Sequence, residues 1–176
     1  GKNSSSEDYL NTINDKISKL KTSLSDEALS NIKSEADQMK KAADAVTAID
    51  YDKASGDAVY SKVKDLVNTY NTLVKQTGKS DLVSISQSRT WMVNDTKAHE
   101  AQWNKIGITI EDDQTLTVDE KKFKEASTSD IKNFLSGASG YASRLSTKAN
   151  GFYQLASNQL TLNSGTSLYN KYGLLG

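Results

Sequence analysis

The densest group of side chains capable of chemistry is a run of carboxylates, Glu111, Asp112 and Asp113, followed closely by Asp119 and Glu120. Such oxygens suit a hard cation, but a calcium loop takes its ligands at alternating positions and turns sharply on a central glycine. Gln114, Thr115 and Leu116 occupy that middle, so the pattern reads as a solvated turn leading into a capped helix. His99, the one histidine, shares a helical face with Met92 and Trp103. A ligand or general-base role would want a carboxylate or a second imidazole near it in space. Glu100, its acidic neighbour in sequence, points elsewhere on a helix, so His99 reads as a packed or rim residue. Ser136-Gly137-Ala138-Ser139-Gly140 lacks the Gly-Lys-Ser/Thr ending of a phosphate loop. No Gly-x-Ser-x-Gly elbow is present, and the glycosylation sequon Asn94-Asp95-Thr96 falls on a predicted helix. The absence of cysteine removes disulfides, thiolate metal sites and cysteine nucleophiles together. No catalytic, cofactor-binding or metal-ligating residue emerges, and the expectation is a protein that is not an enzyme and carries no cofactor.

The elements around these residues must be read from composition and periodicity. The 176 residues carry 22 basic and 22 acidic side chains, a net charge of zero. A duplex-binding protein needs a basic surplus to displace counterions, so nucleic acid is not an expected partner. No apolar run approaches the roughly 20 residues of a membrane span, and no signal peptide is visible. Proline is absent, and residues 2–55 hold no glycine, so nothing there interrupts a helix. Hydrophobic residues make up 36% and the mean hydropathy is −0.61, values that suit long helices burying narrow stripes.

Residues 2–6 read as a frayed polar end. Leu10, Ile13, Ile17, Leu20 and Leu24 then recur at alternating steps of three and four, the spacing of one helical stripe. Ser25, with Asp26 and Glu27 behind it, reads as a helix cap. A second stripe follows in Leu29, Ile32, Ala36, Met39, Ala43 and Val46, and residues 7–24 and 26–49 are expected to pack as a hairpin. Self-association or docking to a partner helix is the other use such stripes admit.

Beyond Gly56 the third stripe is Val59, Val63, Leu66, Tyr70 and Leu73, stopping at Gly78. A fourth, capped by Ser80 or Asp81, carries Leu82, Ile85, Met92, Thr96, His99 and Trp103 and closes at Gly107. Ile108, Ile110, Leu116 and Val118 alternate with polar residues and predict a β-hairpin over 108–118. Asp119 opens a short helix through Phe123, Ser127 or Ser129 opens another through Ile131, Phe134 and Leu135, and Gly137 stops it. The last helix carries Tyr141, Leu145, Ala149, Phe152 and Ala156 and is expected to end near 163–165. The apolar tail from Leu168 to Leu175 is free to dock on this chain or another. Trp91 and Trp103, with Tyr70, Phe123 and Phe134, read as the core that joins the hairpin to the helices.

Val67-Asn68-Thr69-Tyr70-Asn71-Thr72-Leu73, then Ile106-Gly107-Ile108-Thr109-Ile110 and Leu116-Thr117-Val118-Asp119-Glu120-Lys121-Lys122-Phe123, form an ordered series. Phe134-Leu135-Ser136-Gly137 and Gly140-Tyr141-Ala142 continue it. Together they resemble the C-terminal part of the flagellar filament-capping family, also called hook-associated protein 2, over residues 56–160. Gln114-Thr115 stands where that family has a glycine, and residues 7–49 have no counterpart in it. The resemblance implies an extracellular, non-enzymatic protein of the flagellum, exported without a cleaved signal peptide, that oligomerises and guides flagellin-like subunits. It implies subunit contacts around helices 57–77 and 141–162.

The expectation is therefore a mainly α protein of long antiparallel helices with one small β-hairpin near 108–118. Residues 7–49 form a helical hairpin, 56–162 the main unit and 163–176 a tail. Its partners are proteins, through self-association or flagellin-like subunits, with no small-molecule substrate evident. A secreted or cell-surface helical binding module is the alternative.

Overall fold

The computed structural model describes residues 2–172, and the side chains within 5–20 and 25–165. It is mainly α, with a single small sheet among the described residues. The element order is α1 (Lys2–Thr47), α2 (Gly56–Thr77), α3 (Val83–Lys97), α4 (Glu100–Lys105), β1 (Ile108–Ile110), β2 (Leu116–Val118), α5 (Glu120–Glu125), α6 (Thr128–Leu135) and α7 (Tyr141–Tyr172).

The expected N-terminal hairpin is corrected: α1 is one continuous helix of 46 residues, and the polar residues 2–6 belong to it in backbone conformation. Ser25 caps nothing. With neither proline nor glycine in the stretch, no residue makes breaking the helix cheaper than continuing it. Asp26 instead accepts a hydrogen bond from Asn163 Nδ2 of α7 at 2.9 Å. Near the other end of the pair, Ser146 Oγ donates to Asp44 at 2.6 Å. These two contacts place α7 antiparallel along the second half of α1. Ala36, Ala43, Ala149 and Ala156, all fully buried, let the two backbones approach closely.

The second stripe of α1, from Leu29 to Val46, shares one core with Val59, Val63, Leu66, Tyr70 and Leu73 of α2 and Leu145 and Phe152 of α7. No separate hydrophobic core distinguishes the N-terminal segment from the main unit. Helix α7 runs through the Asn163-Ser164-Gly165 stretch where an end was expected, because an isolated glycine costs a helix only about 1 kcal/mol. The docking of Leu168 to Leu175 lies outside the described side chains.

Ser55 caps α2 through its hydroxyl, which accepts from Ala58 N at 3.1 Å. The helix expected from residue 82 to Gly107 is broken at Ala98-His99 into α3 and α4. The Asp95 carbonyl is taken by His99 Nδ1 at 2.7 Å and the Thr96 carbonyl by Trp103 Nε1 at 3.1 Å. These side-chain donors compete for carbonyls of the ladder, and the His99 amide turns back to the Thr96 carbonyl at 3.2 Å in a tighter turn. Neither Ser80 nor Asp81 caps α3; Leu82 holds that position, its amide bonded to Ser80 Oγ.

The hairpin matches its prediction. Strands β1 and β2 are antiparallel, with Ile108 opposite Val118 and Ile110 opposite Leu116. Asp119 caps α5 and Ser127 caps α6. Gly140 immediately precedes α7, where a Cβ would lie 2.2 Å from the Ser136 carbonyl oxygen, so only glycine fits that turn.

Candidate functional site

Asp113, Asp119 and Glu120 of the carboxylate run are engaged in local contacts. Asp113 Oδ1 accepts from Thr115 N at 3.0 Å and from Thr115 Oγ1 at 2.6 Å, which holds its carboxyl below the usual range. Gln114 completes the turn at φ 73°. Asp119 is committed to the cap of α5 through Lys122 N, and Glu120 pairs with Lys124 at 2.9 Å. Among the described residues, no three His, Asp or Glu side chains gather where they could hold a metal ion.

His99 sits at the rim of an open groove of about 410 Å³ between α4, α6 and the start of α7. Its titratable lining is His99, Lys105, Asp130 and Arg144. A carbonyl oxygen only accepts, so the contact with Asp95 puts the proton on His99 Nδ1. The imidazole lies against Phe134, with ring centroids 5.7 Å apart. Arg144 Nε reaches Asp95 Oδ2 at 3.1 Å, and another of its nitrogens donates to the Ser139 carbonyl at 2.7 Å. Ser136 Oγ donates to the Thr47 carbonyl rather than to the imidazole, at 3.3 Å. The Asp95 carboxylate also lies 3.6 Å from His99 Nδ1, a partner for the imidazole that its neighbour Glu100 could not be.

Beside it lies a buried polar knot. Thr96 Oγ1 and the Tyr141 hydroxyl are 2.7 Å apart. Burial drives the Tyr141 phenol well above its ordinary value and pushes Tyr70 up to about 12. The Tyr70 hydroxyl itself closes no hydrogen bond. Trp103 packs edge-on against both Phe134 and Tyr141 at 4.7 Å. Phe123 is buried as expected and Phe134 partly so. Trp91 departs from its expected place in the core: it is 49% exposed, and Lys148 Nζ lies 4.1 Å from the centroid of its ring. Its position on α3 faces away from the core that Met92 and Val93 enter.

The first half of α1 presents a different kind of site. Residues 5–20 include no buried side chain. Leu10 is 57% exposed, Leu20 61% and Tyr9 67%, while Ile17 is also exposed and Ile13 partly so. At 3.6 residues per turn this stripe is centred roughly 100° around the helix from Leu29, Ile32 and Ala36. The core that takes up the second stripe therefore leaves the first uncovered. The change of phase is legible as the step of five from Leu24 to Leu29. On α2 and α7, the helices around which the resemblance implied subunit contacts, the apolar residues Val63, Tyr70, Leu145 and Phe152 are buried within the chain.

The chain matches no family model, no curated protein and no solved structure.

Proposed function

We propose that the chain is a non-enzymatic structural protein that works by helix packing between subunits. The observation that carries this reading is the uncovered stripe of Leu10, Ile13, Ile17 and Leu20 on α1. A regular heptad face left in water costs free energy that a partner helix recovers. The likeness of residues 56–160 to the filament-capping family supports a place at the bacterial flagellum or a related extracellular surface structure, with flagellin-like subunits as partners. The residues of that likeness hold one structural unit together: Asn71 bonds to Leu116, and Asp119 caps the next helix.

A labelled antibody against the protein on its source cells tests the assignment. Label at filament tips is the expected result. Label over the cell body or in the medium, with bare filaments, would sink it. That second outcome favours a secreted or surface binding module, for which the open groove beside His99 is the supporting observation.

A further inference from the structure

The groove beside His99 is lined by polar side chains that the fold does not use. Arg144 is committed to Asp95 and the Ser139 carbonyl, and Ser136 to the Thr47 carbonyl. Gln102, Lys105, Asp130, Asn133 and Ser139 line the same space, and none of their side chains has a partner among the described residues. His99 spends Nδ1 on the Asp95 carbonyl, which leaves Nε2 of the neutral ring as a free acceptor. We propose that this groove, together with the exposed ring of Trp91, is a binding site for an uncharged carbohydrate. It uses no residue of the α1 stripe and is a function beyond helix packing.

Charge and hydrogen-bonding capacity select that class. The free charges are one cation, Lys105, and one carboxylate, Asp130, so an ion of either sign meets a like charge. A phosphate or carboxylate ligand also brings only acceptors to the bare lone pair of Nε2 and to Asp130. A sugar hydroxyl both donates and accepts. The carboxamides of Gln102 and Asn133 each present a donor beside an acceptor, which neighbouring hydroxyls complete. Phe134 supplies the apolar wall, too little for the side chains of a peptide.

Trp91 extends the site. Trp91, Asp95 and His99 follow at steps of four, and Lys148, Arg144 and Gly140 do the same in reverse on the α7 side. Lys148 meets Trp91 at 4.1 Å, Arg144 meets Asp95 at 3.1 Å, and His99 and Gly140 both line the groove. Trp91 thus stands about 12 Å from His99 along this seam, at 1.5 Å per residue, a span for more than one sugar ring. Its ring is 49% exposed, a flat apolar surface on which the C–H face of a pyranose can stack.

Titration of the full chain with maltotetraose, cellotetraose and chitotetraose, read by tryptophan emission and calorimetry, tests this. At least one should bind, with a Kd on the order of 1 mM, and shift the emission to the blue. The chain has two tryptophans and Trp103 is 1% exposed, so the shift reports Trp91, and Trp91→Ala should abolish it. Gln102 and Asn133 are exposed. Gln102→Ala and Asn133→Ala should therefore leave the thermal melt unchanged and each weaken binding about tenfold, the loss of hydrogen bonds to the ligand. No binding of any of the three at about ten times that concentration would overturn the proposal. So would binding indifferent to both alanine variants, an emission shift that survives Trp91→Ala, or binding of inorganic phosphate in place of the sugars. Tip labelling without sugar binding removes only this site; sugar binding without tip labelling removes only the flagellar assignment.

Discussion

The side chain of Asn71 in α2 grips the backbone of Leu116 in β2 from both sides. Its Nδ2 donates to the Leu116 carbonyl at 2.8 Å, and its Oδ1 accepts from the Leu116 amide at the same distance. Leu116 sits opposite Ile110 at the turn end of a sheet only two strands wide. Without Asn71 that edge would leave both backbone groups unpaired in a partly buried place. One amide side chain thereby fixes where the hairpin docks.

Asn71→Ala should therefore destabilise the protein by about 2 kcal/mol, the cost of stranding two polar groups. Asn71→Asp keeps the acceptor and loses the donor, and should fall between. Chemical denaturation gives the energies. Hydrogen exchange at the Leu116 amide should accelerate in Asn71→Ala but not in Asn71→Asp, which keeps the oxygen that holds it, and an unchanged rate in Asn71→Ala would count against this account.

The continuity of α1 is open to a direct check at Asp26. Proline is tolerated at the first position of a helix, so a hairpin broken at Ser25 would accept Asp26→Pro. In one unbroken helix the same change costs about 3 kcal/mol. Circular dichroism should show a loss of helical signal for Asp26→Pro. Asp26→Ala, which removes only the bond to Asn163, should keep it.

The two tryptophans should respond very differently to truncation. Trp103 is 1% exposed and donates to the Thr96 carbonyl, so Trp103→Ala should cost about 3–5 kcal/mol. Trp91 lies on the surface beneath Lys148. Trp91→Ala should cost about 1 kcal/mol or less, the scale of an exposed cation–π contact. Paired urea melts decide this, and equal losses would contradict the placement of Trp91.

Stability should depend on pH through Glu35. Burial raises its carboxyl above the ordinary 4.5, Lys79 opposing this in part, and Oε2 has no hydrogen-bond partner. A raised folded value means the stability it contributes is full below 4.5 and is lost as pH rises through that raised value. Glu35→Gln should thus stabilise the protein at neutral pH, by a fraction of a kcal/mol after solvent screening, and do nothing in acid. Asp44 runs the other way. The Ser146 hydroxyl, then Lys40, holds its carboxyl below 3.8, so its contribution is present above that value and fades as pH falls further. Thermal melts of Glu35→Gln and Ser146→Ala across the acid range separate the two.

Much of the fold was legible because its signals are local. The three-four spacing of Val59 to Leu73 and of Tyr141 to Ala156 is a property of the helix itself, and those residues are the buried ones. Asp119, Ser127 and the alternation over 108–118 act on their own neighbours, and each stands where it was expected. The open groove beside His99 was not legible, because its lining comes from α4, α6 and α7 and meets only when those helices pack.

The sequence by itself determined the apolar stripes of the helices, the hairpin and the caps at Asp119 and Ser127, since each depends on residues a few positions apart. Tertiary structure alone decided that α7, and not residues 7–24, lies along the second stripe of α1. It also decided that Trp91 faces water and that the stripe from Leu10 to Leu20 stays bare. Periodicity names an apolar face but not what covers it. That depends on where a second helix happens to lie, and α7 lies along the face of Leu29 and Ala36, about a quarter-turn away from Leu10.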